Sequence, residues 1–155
     1  MRLVGRPIVS NASPNYARLC VPYVAACELL FGNVDPSSFL PDKLGNAKIK
    51  SLAKKIETIE VQHPYPNAFY PQHLTLELND GRIFKCPIPH AWGHPLLPMS
   101  VQAREDKFRP CWRLTKSTEP PMENAMEIFM EWLRDLQHAE TCAPLLNLLL
   151  EARSH

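Results

Sequence analysis

His90-Ala-Trp-Gly-His94 holds two histidines at a spacing that would form a metal-binding edge on a helix. Here the pair lies between Pro89 and Pro95 and spans Gly93, so the segment reads as a loop. No third ligand stands close by in the chain, so the expectation is a protein without a metal. Two incidental surface histidines are the plain reading. A histidine cluster facing a substrate pocket is the other, because loops carry sites. Five cysteines are present, Cys20, Cys27, Cys86, Cys111 and Cys142. Any of them could be drafted as a nucleophile, so no Cys/His pair is singled out. Cys20, Cys27 and Cys111 fall on apolar helical stripes and read as core. Met122, Met126 and Met130 also read as core, being at helical spacing rather than in a ligand set. No G-x-S-x-G, G-x-G-x-x-G or P-loop sequence occurs.

The totals narrow the classes. A chain of 155 residues with 45% hydrophobic residues is expected to form one globular domain, residues 1–155. Its net charge of +1 offers no bulk attraction to nucleic acid or to an anionic membrane. No apolar run reaches the roughly 20 residues of a membrane span, and the first residues lack the apolar centre of a signal peptide. An odd number of cysteines without a C-x-x-C pair points to reduced thiols and a cytoplasmic protein. Lys43, Lys48, Lys50, Lys54 and Lys55 read as a solvated helix face, since no aromatic residues interleave with them.

The clearest structural signal is His73–Pro89. Leu74, Leu76 and Leu78 alternate with Thr75, Glu77 and Asn79, as in a half-buried strand. A two-residue turn at Asp80-Gly81 would set Leu76 opposite Lys85. A three-residue loop, Asn79-Asp80-Gly81, sets Leu76 opposite Phe84 and Leu74 opposite Cys86. That phase selects a type I turn with a G1 bulge and Gly81 in the left-handed region. Pro87 and Pro89 are expected to end the second strand.

Helical spacing covers most of the rest. Ser13-Pro14 reads as a cap and first turn, leading into Tyr16, Leu19, Cys20, Tyr23, Val24, Cys27, Leu30 and Phe31. Pro22 either kinks this helix or starts a second one, and Gly32 stops it. Asn33–Pro41 is expected to be a loop. A helix over Asp42–Lys55 is weakened at Gly45-Asn46 and buries Ile49, Leu52, Ala53 and Ile56. Thr58–His63 reads as a strand with Ile59 and Val61 inward, followed by a proline-rich connection. Ser100 caps a helix to about Leu114, bent or broken near Pro110. Further helices span about Pro121–His138 and, capped by Thr141, Cys142–Ala152. The last is apolar nearly all round, so an exposed apolar patch and self-association are expected. Helices, then strands, then helices give an α+β class: a small antiparallel sheet built round a β-hairpin and flanked by helices.

Three stretches in order resemble the C-terminal domain of the MmgE/PrpD family, which includes 2-methylcitrate dehydratase, cis-aconitate decarboxylase and iminodisuccinate epimerase. One is Tyr16-Ala17-Arg18 with Pro22–Ala26 and Leu29-Leu30-Phe31-Gly32. The second is Leu74–Phe84 with its Asp-Gly turn. The third is Gly93-His94 with Pro98-Met99-Ser100 and Asp106-Lys107-Phe108.

The resemblance implies a lid domain of a lyase or isomerase that acts on small di- or tricarboxylates without a metal or organic cofactor. It implies that a helical N-terminal domain, or a second copy of the chain, completes the site, and that this chain alone is inactive. On that view the chain corresponds to the last third of such a protein, as a fragment, a split subunit or a shortened relative. Such reactions need a base, an acid and cations that hold carboxylates. Arg6, Arg18 and His94 are then the substrate-binding candidates, the two arginines because guanidinium grips carboxylate in a fork. Surface charge is the alternative reading of both arginines. The decarboxylase branch has a tyrosine three residues before the Arg-Pro that resembles Arg6-Pro7. Leu3 stands there, which favours a dehydratase or epimerase. A stand-alone interaction or carboxylate-binding module without catalysis is the other class considered.

Overall fold

A computed structural model describes residues 6–9, 11–62, 71–115 and 120–151. The chain divides into two compact units, one of Met1–Thr58 with Glu105–His155 and one of Ile59–Arg104. The described elements are helices and one two-stranded antiparallel sheet, an α+β fold as expected.

In the first unit, α1 (Pro14–Arg18) starts on Ser13, whose hydroxyl accepts from the Tyr16 N–H. The chain then breaks at Leu19-Cys20, and α2 (Val21–Phe31) begins with Pro22 in its first turn. Proline suits that place because first-turn N–H groups have no helical acceptor. Pro22 thus starts a second helix rather than kinking one. Gly32 closes α2 at φ +74°, and its N–H donates to the Glu28 carbonyl at 2.8 Å.

The stretch after Gly32 is more ordered than the loop expected. Asp35 caps a 3-10 turn, Pro36–Phe39, by accepting from the Ser37 N–H, and Ser38 and Phe39 are buried. The helix expected over Asp42–Lys55 is two short ones, α3 (Pro41–Leu44) and α4 (Ala47–Ala53). Asn46 caps the second by accepting from the N–H groups of Lys48 and Ile49, which a continuous helix would have used otherwise. Ala17, Cys20, Tyr23, Ala26, Cys27, Phe39, Ile49 and Ala53 form the buried cluster of these elements.

A second cluster in this unit joins α5 (Val101–Thr115), α6 (Pro120–Arg134) and α7 (Ala143–Glu151). Trp112, Ala125, Met126 and Met130 are buried, with Phe108, Phe129 and Leu148 packed on them. The Phe108 and Phe129 rings are parallel at 5.5 Å, and Trp112 tilts against Phe129 at 5.4 Å. Arg109 binds Glu127, and Arg134 Nε donates to Glu105 at 2.6 Å. Ser100 and Thr141 cap as expected. Helix α5 runs through Pro110 without a break. Cys111, expected in the core, is exposed: it lies about 100° round the helix from Trp112, which takes the inward position. A 3-10 turn, Leu136–His138, follows α6 in place of further α-helix.

The second unit is built on β1 (Gln72–Glu77) and β2 (Ile83–Ile88). Leu76 pairs with Phe84 and Leu74 with Cys86, the register derived from the residue phases. Gly81 sits at φ +84° and its N–H donates to the Leu78 carbonyl. Pro87 does not end the strand. The Leu78 N–H donates to Arg82, which makes every second pair from there the hydrogen-bonded kind. Pro87 with His73 is a non-bonded pair, so the proline nitrogen points away from β1 and costs no ladder bond. Both strands are exposed rather than half-buried, Leu74 at 54% and Phe84 at 53%. The strand expected over Thr58–His63 is absent from 58–62. No described strand pairs with it, and Ile59 and Val61 are over three-quarters exposed. His63, the proline-rich connection and Leu3 lie outside the described residues.

Candidate functional site

Arg6 is held at the edge of a groove of about 710 Å³ in the first unit. Its backbone N–H donates to the Leu19 carbonyl at 3.3 Å, where the chain turns from α1 to α2. Its guanidinium carbon lies 5.2 Å from the centre of the Tyr16 ring, a cation–π contact. The Tyr16 hydroxyl in turn donates to the Pro7 carbonyl at 2.9 Å. The Arg6-Pro7 peptide is thereby tied to α1 and to the turn that follows it.

The floor of the groove is apolar, made by Pro22 and Ala53, which are buried, and by Ile8 and Ile56. Across from Arg6 in the chain order, the residues leaving α4 supply the rest: Lys54, Glu57 and Thr58. Their path is set by the Lys55 and Ile56 N–H groups, which donate to the Leu52 and Ala53 carbonyls. An apolar floor with arginine, lysine, glutamate and a hydroxyl around it can hold a small polar ligand by its charged ends.

Arg18 does not line this groove. Its side chain is exposed, its Nη1 donates to Asn15 Oδ1 at 3.1 Å and its guanidinium carbon lies 5.5 Å from the Phe39 ring centre. The break before α2 puts Arg18 and Pro22 in separate helices.

His94 belongs to the second unit. Its ring stacks on His90 with centres 4.4 Å apart and planes 10° apart. His94 Nδ1 accepts from the Leu96 N–H at 3.1 Å, so the neutral ring carries its proton on Nε2. The Gly93 N–H donates to Leu97 and the Leu97 N–H to His94, closing the loop on itself. Among the described residues, no group of three histidine, cysteine or acidic side chains is placed to hold a metal. None of their helices is long and apolar enough to cross a membrane.

The cysteines differ in reactivity. Burial pushes the thiols of Cys20 and Cys27 up, the wrong direction for a nucleophile. Burial also pushes the Tyr23 phenol up, and its hydroxyl donates to the Ser38 carbonyl at 2.7 Å. These three groups are core.

The sequence names Arg6 as a candidate but gives no sign that Tyr16, Lys54, Glu57 and Thr58 line a groove with it. By sequence Tyr16 falls within a helical spacing and Lys54 in a solvated helix face. Nothing in their spacing links them, because the groove forms only when α4 is folded beside α2.

Residues 1–132 match the family model described as the MmgE/PrpD C-terminal domain. The chain is 26% identical over 151 residues to cis-aconitate decarboxylase of Homo sapiens, a match that covers 96% of this chain and 30% of that protein. It thus spans less than a third of the length of that curated relative. With the matched span taking in both the groove and the hairpin, the chain belongs to the MmgE/PrpD family, whose C-terminal domain it contains.

Proposed function

We propose that the chain is the C-terminal domain of a lyase or isomerase acting on small di- or tricarboxylates without a cofactor, and that Arg6 grips one substrate carboxylate. The observation that carries this reading is the tethered Arg6 above Tyr16 at an open groove. Removing or delivering a proton beside a carboxylate builds negative charge, and a positioned guanidinium offsets it. Family membership supports this reaction class, and the likeness to a decarboxylase favours the lyase half of it. The acid and base are assigned to a helical domain outside this chain, so the chain by itself turns nothing over.

The test has two arms. The whole chain is titrated with malate and citrate by calorimetry at low salt, and the titration is repeated with Arg6→Lys. A charge-assisted fork is worth about 1.5–3 kcal/mol, less where water screens it. The lysine variant should therefore bind roughly tenfold more weakly, a change of about 1.4 kcal/mol. The second arm adds the helical domain of a family enzyme and follows loss of substrate. Equal affinity for both proteins, together with no turnover in the second arm, would refute the reading.

A further inference from the structure

Arg6, Lys54 and Glu57 line one groove, yet none of them forms an ion pair with another described residue. Opposite charges around a shared opening that do not neutralise one another leave both signs available to a ligand. Lys54 and Glu57 stand three residues apart across the end of α4. Buried Ala53 and half-buried Ile56 hold that turn from within. Ile8, Pro22, Ala53 and Ile56 bring apolar side chains to the groove, so polar selection falls on Arg6, Lys54 and Glu57 with Tyr16 and Thr58.

We infer that Glu57 is a specificity residue of this groove. It accepts a hydrogen bond from a hydroxyl or ammonium group on a dicarboxylate held by Arg6 and Lys54, and it disfavours a third carboxylate. The inference rests on the carboxylate-binding reading above and adds a selection rule to it. Two cations match two carboxylates. The remaining anionic acceptor matches a donor, and against a third carboxylate it sets like charge on like. Because the groove is open to water, each effect is modest and salt-sensitive.

Four probes separate the parts: succinate, malate, aspartate and tricarballylate, titrated against the whole chain at fixed low ionic strength. Malate and succinate differ by one hydroxyl, aspartate carries an ammonium, and tricarballylate carries a third carboxylate. Malate and aspartate should bind on the order of fivefold tighter than succinate, and tricarballylate more weakly than malate. Glu57→Ala should abolish the preference for malate and aspartate and improve tricarballylate by about fivefold. Glu57→Gln keeps an acceptor but no charge, so it should retain part of the malate preference while improving tricarballylate. Glu57 is exposed, so both variants should keep the wild-type melting temperature. If dicarboxylates bind through Arg6 but these ratios do not move in Glu57→Ala, the role of Glu57 is overturned and the groove stands. If no probe binds in an Arg6-dependent way, the carboxylate groove itself fails, and this inference with it.

Discussion

Tyr23 links α2 to the turn that precedes α3, and Tyr23→Phe isolates that link. The ring is 3% exposed and packs on Phe39 with centres 6.0 Å apart. Phenylalanine keeps this packing and opens no cavity. What disappears is the hydroxyl that donates to the Ser38 carbonyl at 2.7 Å in a buried setting. A net hydrogen bond is worth about 0.5–1.5 kcal/mol, and a buried acceptor left without its donor costs about 1–3 kcal/mol. A loss of about 1.5 kcal/mol is the working value. For a chain of this length that corresponds to about 3–6 °C in melting temperature.

The same substitution has a signature in pH. Burial raises the Tyr23 phenol above its ordinary value, so the folded state favours the neutral form. Its contribution is complete below the unfolded value of about 10 and is lost as pH rises past it. Cys20 and Cys27 are raised by burial as well, and their contribution is lost above the ordinary thiol value of about 8.5. Wild-type stability should therefore fall in two overlapping stages on the alkaline side, and Tyr23→Phe should remove the later one and alter the earlier, because the same hydroxyl hydrogen-bonds the Cys27 thiol. Urea melts at pH 7, 9 and 10.5 read this directly. A variant as stable as wild type at pH 7, with both alkaline stages intact, would show that the Ser38 contact stabilises nothing.

Three further outcomes are expected. Arg109 holds the Glu127 carboxyl below the usual range, so this pair stabilises the α5–α6 packing above about pH 4.3 and is lost as pH falls through the lowered value. Glu127→Gln should flatten that acid limb in thermal melts between pH 7 and 3, and an unchanged limb would place the acid sensitivity elsewhere. Gly81→Ala meets no neighbouring atom but forces a side chain onto φ +84°, so the hairpin should lose about 1–2 kcal/mol. Faster exchange of the Leu78 amide reports it, and wild-type exchange would count against a strained turn. Leu146 and Leu150 on α7 and Leu74 and Leu76 of the hairpin are exposed, so sedimentation should show concentration-dependent self-association with binding of a hydrophobic dye. A clean monomer without dye binding contradicts that.

Elements with a local cause are legible in the sequence. The hairpin register followed from where apolar residues must face, and the caps at Ser13, Ser100 and Thr141 from side chains that satisfy their own neighbours. The stripe of Ile49, Leu52, Ala53 and Ile56 was also readable, because α4 packs on α2 with the expected face. Competition between two local options was not. Asn46 can be one residue of a longer helix or the cap of a new one, and the capping bonds decide. Thr58–62 alternates like a strand but has no described partner, and alternation supplies no ladder.

Arg18 shows why a site is harder to read than a fold. It stands in one of the stretches that most resemble the family, and a guanidinium is the right group for a carboxylate. Whether it can meet one depends on the backbone between Arg18 and Pro22. A continuous helix would have placed the two on one face; the break at Leu19-Cys20 instead turns Arg18 over Phe39. The same break presents the Leu19 carbonyl to Arg6, thirteen residues earlier, and leaves Pro22 free to line the groove. One proline at the start of a helix thus separates the fates of two arginines that composition and chemistry could not tell apart. The cost of continuing a helix through proline, about 3 kcal/mol, favours the break that parts them.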